Sequence, residues 1–183
     1  GYLTIKGYDE GVYFLGIPNQ EVRQSLNSIV LPALAMRRNG DIQSAQAMLT
    51  VHLRNGNLPE AKKLLKALIA DVPYSNKKLA SMDMEERYRL IMSTIFNAIG
   101  FRVEVERMLS TGRIDIVVET PRIIYVMELK LSNNGGISAA EQQICENRYI
   151  EPFKADGRKV IALAVELDAM GKGLVDWKVC KSN

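Results

Sequence analysis

With 183 residues and 47% hydrophobic composition, the chain can bury one sizeable core, or one core and a small subdomain. No run of about twenty apolar residues and no signal peptide is visible. The two cysteines, Cys145 and Cys180, are too few and too far apart for a metal motif and read as reduced thiols. A lone histidine, His52, sits among leucines in a helical stretch, so no His-based nucleophile or zinc site can be built around it. The expectation is a soluble cytoplasmic domain. Net charge is only +3, but that sum hides an uneven distribution.

The chain starts at Gly1 without a methionine and goes straight into a strand, which reads as a piece of a longer protein. Tyr2-Leu-Thr-Ile-Lys6 and Val12-Tyr-Phe-Leu-Gly-Ile17, split by Gly7-Tyr-Asp-Glu-Gly11, predict a hairpin. A helical region with an internal echo follows. Arg38-Asn-Gly-Asp-Ile is matched by Arg54-Asn-Gly-Asn-Leu sixteen residues later, each with a glycine to close one helix and an Asp or Asn to cap the next. Two copies make a helical hairpin rather than a solenoid. Residues 36–80 carry eight Lys/Arg against three Asp/Glu, while residues 81–183 carry fourteen against fifteen. Arg37, Arg38, Arg54, Lys62 and Lys63 are thus candidates for a patch that grips phosphate backbone, with a solvated helix face as the plain alternative.

Residues 82–99 form an amphipathic helix by their period: Tyr88, Ile91, Met92, Ile95 and Ile99 make one buried stripe. Glu85 falls on the stripe's edge, whereas Asp83 and Glu86 have capping-box spacing. Gly100 ends the helix, and residues 101–107 alternate as a first strand. Arg113-Ile-Asp-Ile-Val-Val-Glu119 and Ile123-Ile-Tyr-Val-Met-Glu-Leu-Lys-Leu131 read as two antiparallel strands joined at Pro121-Arg122. Residues 133–136 make a loop, with Ser138 as N-cap of a helix to about Phe153. Residues 159–166 form a buried strand and residues 174–179 an edge strand. This order predicts an α/β layer around a central mixed sheet flanked by helices.

The chemistry concentrates in the antiparallel pair. Glu128 lies thirteen positions after Asp115, and Lys130 two further on. Glu128 and Lys130 share a strand face with Ile124 and Val126. Charges on such an apolar face cost free energy unless paired or bound to a metal. Two carboxylates beside a lysine suit metal-assisted phosphodiester hydrolysis, because Mg²⁺ favours oxygen ligands and retains several waters. Asp115 and Glu128 are the candidate ligands, with the Leu129 carbonyl as a further oxygen and Glu85 as a third acid. Lys130 would orient the attacking water.

The chain as a whole resembles the PD-(D/E)XK nuclease superfamily, in the branch found at the C-terminus of bacterial AAA-ATPase-like proteins. The residues carrying this are Pro18-Asn19-x-Glu21-Val22, Gly100-Phe101, Glu106, Gly112-Arg113-x-Asp115, Tyr125-Val-x-Glu-x-Lys130, Gln143-Ile144 and Tyr149. The resemblance implies a restriction-endonuclease-like core over residues 81–183. Residues 1–80 would be a β-hairpin and helical region linking it to an ATPase-like domain of the same full-length chain. It also implies a Mg²⁺-dependent nuclease (Mn²⁺ substituting), with Asp115, Glu128 and Lys130 in the active site. Gln143 would stand near the site on the following helix, and DNA is expected over RNA as substrate. Arg113 either grips a phosphate or pairs with Glu128 or Glu106. Tyr149 reads more readily as core than as a base-stacking residue. The competing reading is a non-catalytic module that binds nucleic acid or docks an ATPase partner.

Overall fold

The computed structural model describes residues 3–9, 12–16, 18–19, 21–22, 25, 39–70, 72 and 82–180. Strands β1 (Thr4–Asp9) and β2 (Val12–Gly16) pair antiparallel as a separate two-stranded sheet. The first strand runs through Gly7, which the sequence assigned to the turn. A register shift between Ile5 and Gly7 passes over Lys6, and the glycine itself pairs with Phe14.

Helices α1 (Asn39–Asn55) and α2 (Leu58–Ala70) form the expected helical hairpin. Gly56, at φ +71°, makes the turn between them. Helix α3 (Met84–Ala98) follows, with Asp83 as N-cap accepting from the Glu85 amide at 3.1 Å. All five stripe residues are buried, four within α3 and Ile99 as its C-cap, and Phe96 joins them with no exposure at all.

The main sheet is built from β3 (Arg102–Met108), β4 (Arg113–Glu119), β5 (Ile123–Leu131), β6 (Lys159–Leu167) and β7 (Leu174–Val179), in that spatial order. Only β5 and β6 run parallel. A parallel neighbour requires a crossover, and α4 (Gly136–Glu146) supplies it. One buried cluster joins Leu49, Leu53, Leu65, Met92 and Ile95 to Ile116, Tyr125 and Met127, so α1, α2 and α3 cover one sheet face. The Tyr125 hydroxyl donates to the Leu53 carbonyl at 2.6 Å, tying α1 to the sheet centre, and burial pushes its pKa up to about 12. On the opposite face α4 packs Ala140 and Ile144 against Ile124, Val126 and Ala162. Helices α1 and α2 therefore share one core with the sheet that follows.

Ser138 is not the N-cap of α4, which begins two residues earlier behind Gly135. Glu166, on β6, accepts from the Ile137 amide at 3.2 Å and so caps the helix from across the fold. The helix also stops at Glu146, well short of Phe153. Arg148 takes a left-handed φ of +50°, and a 3-10 turn over Glu151–Phe153 carries the chain onward.

Candidate active site

The β4–β5 ladder pairs Glu119 with Ile124 through to Ile116 with Met127, and there it stops. One more step in this register would set Asp115 opposite Glu128. Instead the strands part, and the Asp115 side chain fills the gap: its Oδ2 accepts from the Leu129 amide at 2.9 Å. The same step is broken on the other side, since β3 pairs Val105 with Ile116 and Arg107 with Ile114 but skips Glu106. Glu106 adopts φ +53°, a region non-glycine residues seldom occupy. Ile114 consequently packs in the α4-side cluster while Ile116 packs in the other. The sheet is thus opened locally at Asp115, where the acidic groups collect.

Glu128 is 1% exposed and Asp115 4% exposed, so two carboxylates are buried beside each other. Lys130 donates to Glu128 Oε1 at 2.9 Å, while Glu128 Oε2 is buried and accepts no hydrogen bond among the described residues. Burial, with the Asp115 charge adding to it, pushes the Glu128 pKa up to about 7. Burial alone would depress Lys130, but its hydrogen bond to Glu128 and the charges of Glu128, Glu85 and Asp115 hold the ammonium above its usual range. Lys130 is therefore a cation at neutral pH, suited to holding an oxygen and not to taking a proton. Glu85 lies at the rim, its pKa raised by partial burial and by Asp115 against the opposing pull of Lys130 and Arg89.

Sequence reasoning missed Arg89. From α3 its Nη1 reaches Asp115 Oδ1 at 2.8 Å and its Nη2 reaches Glu106 Oε1 at 3.2 Å. A signal was available, because Arg89 stands one helical turn after Glu85 on the same edge of the stripe. Arg113 pairs with Glu106 at 2.8 Å, which decides between its two expected partners. Gln143 donates to the Tyr149 hydroxyl at 3.1 Å, and that hydroxyl donates to the Arg113 carbonyl at 2.7 Å. Gln143 thus braces the strand behind Asp115 through the fully buried Tyr149, and among the described residues its side chain bonds that hydroxyl and not the acids.

The donors fit a hard divalent cation in two respects: every one is a carboxylate oxygen, and the orphaned Glu128 Oε2 lacks a partner a cation would provide. Among the described residues no three Asp, Glu, His or Cys side chains converge closely enough to hold an ion. Glu85 is accordingly a neighbour of the pair in this arrangement and not a third ligand. Of the expected phosphate-gripping cations, Lys62 pairs with Asp176 at 2.5 Å and Lys63 with Glu60 at 2.6 Å. Arg54 is exposed and lies 6.0 Å from the Phe101 ring centre. Arg37 and Arg38 lie outside the described residues.

A restriction-endonuclease-like α/β core with Asp115 and Glu128-x-Lys130 at a sheet opening defines a nuclease-type fold. The family model of the PD-(D/E)XK nuclease superfamily matches residues 83–177, just over half of the chain, and the chain belongs to that superfamily. It is also similar to a protein of Azotobacter chroococcum mcd 1 described as an uncharacterized protein in the vnfD 5′ region. The two are 30% identical over 193 aligned residues, covering 98% of this chain and 36% of the relative. The chain therefore spans little more than a third of that relative's length. No solved structure matches. Among the described residues no helix is long and apolar enough to cross a membrane.

Proposed function

We propose that this chain carries a divalent-metal-dependent site that hydrolyses phosphodiester bonds, with DNA as the substrate. The observation that carries the reading is the buried Asp115–Glu128 pair at the parted strands, with one Glu128 oxygen held by Lys130 and the other without a partner among the described residues. Asp115 and Glu128 would hold Mg²⁺, or Mn²⁺ in its stead, and the Leu129 carbonyl is the proposed further ligand. Such an ion supplies an acidified water and stabilises charge at phosphorus. The chain's own residues do the rest. Glu128 would present its unpartnered Oε2 to the ion, and an ion there would hold the carboxyl ionised against the burial that otherwise disfavours its charge. Lys130 keeps its Oε1 fixed and presents ammonium hydrogens to a water or a phosphate oxygen.

The test is digestion of single-stranded, duplex and branched DNA, and of RNA, with and without Mg²⁺. Lys130→Ala and Asp115→Ala should each lower the rate by at least about a hundredfold. Cleavage that survives both substitutions would place the activity elsewhere.

One observation favours a second reading, a nucleic-acid-binding or ATPase-docking module that retains the fold. Both oxygens of Asp115 already have protein partners. On that reading no metal-dependent cleavage appears on any substrate, and Mg²⁺ does not bind.

A further inference from the structure

Arg89 is a largely enclosed arginine with two carboxylate partners and no part in the hydrolytic reading above. Its side chain is 11% exposed, and its fork spans Asp115 and Glu106. Asp115 has its remaining oxygen on the Leu129 amide, so Arg89 stands on the oxygen that an incoming cation would use. Glu106 is half-exposed, held by Arg113 at 2.8 Å, and turned towards both arginines by its left-handed backbone. The guanidinium thus has two seats, one on the candidate metal ligand and one beside it.

We propose that Arg89 is the resting counter-ion of the site, yielding Asp115 to a divalent cation and staying on Glu106. This rests on the metal-dependent reading of the same site. A carboxylate buried as deeply as Asp115 needs a positive partner, and a site without metal obtains it from the chain. Arg89 and a divalent cation on one carboxylate would repel at short range in a poorly screened setting, so their occupancies exclude each other. Glu106 makes the exchange reversible, because the guanidinium keeps one charged partner throughout. Arg89 is a positioning residue in this scheme.

The experiment is calorimetric titration of the full chain with Mg²⁺ at pH 8, for wild type, Arg89→Met, Glu106→Gln and the double variant. Arg89→Met should bind Mg²⁺ about tenfold more tightly. Glu106→Gln should weaken binding several-fold in the wild type but have no effect once Arg89 is gone. Equal weakening in both backgrounds would show simple charge attraction and overturn the exchange, as would unchanged or weaker binding by Arg89→Met. Should Arg89→Met fail to fold, the wild type alone decides. Its ¹⁵N Arg89 Nε–H resonance should shift as Mg²⁺ saturates, and an unmoved resonance at saturation overturns the proposal. Mg²⁺ binding with DNA cleavage, but no gain in Arg89→Met, overturns this inference and leaves the nuclease reading standing. No binding by any of the four proteins overturns both.

Discussion

Glu128 shows how one side chain records the conflict between burial and charge. Its folded pKa of about 7 lies above the unfolded value near 4.5, so the fold disfavours its ionised form. Below about pH 4.5 the group is neutral in both states and costs nothing. As pH rises from there to 7 the unfolded chain loses the proton first, and stability falls by up to about 3 kcal/mol. Glu128→Gln removes this cost, offset in part by the loss of a charged partner for Lys130. Thermal unfolding without metal should therefore show the variant above wild type at pH 8 and level with it at pH 4. Equal midpoints at both pH values would mean that the carboxyl is not held in a desolvated place. A cation binding the ionised form should narrow the pH 8 gap, which makes the site's metal-free instability part of its readiness to bind.

At the scale of elements, α4 depends on a contact no local pattern announces. Gly135 and Gly136 both have positive φ, and a Cβ on Gly136 would lie 2.4 Å from Glu166 Oε2. That carboxylate caps the helix through the Ile137 amide. Gly136→Ala should then cost about 1–3 kcal/mol, from backbone strain and the displaced cap together. Chemical denaturation would measure it, and a loss under a few tenths of a kcal/mol would deny Glu166 its capping role. Helix α3 works differently. Its stripe at positions 88, 91, 92, 95 and 99 is one continuous apolar face, so its period alone foretold how it packs. The edge of that stripe delivers Glu85 and Arg89 to the opening between β4 and β5. The elements most legible in the sequence were β4, β5 and β7, whose bounds coincide with the expected ones. Dense apolar runs cut by Pro121 and by Gly171 and Gly173 leave little room for another register.

For the whole molecule, the part of the basic excess of residues 36–80 that falls on described residues proves less available than its count suggests. Lys62 binds Asp176 and so fastens α2 to the edge strand β7, while Lys63 answers Glu60 within its own helix. Arg54 has no ion-pair partner among the described residues. DNA binding followed against salt concentration should lose about one unit of log–log slope in Arg54→Ala and much less in Lys62→Ala. Equal losses would return Lys62 to the phosphate-gripping surface. The sequence by itself determined the order of elements, the α/β class, and the acids and lysine brought to one strand pair. These follow from apolar period and from spacing over a dozen residues. Only the tertiary structure decided what stands against them. Arg89 reaches Asp115 across 26 positions, Glu166 caps α4 across 29, and Gln143 serves Tyr149 instead of the acids. The physical reason is range: alternation and capping act between near neighbours in the chain. A buried charge takes whichever partner the packed layers bring within about 3 Å.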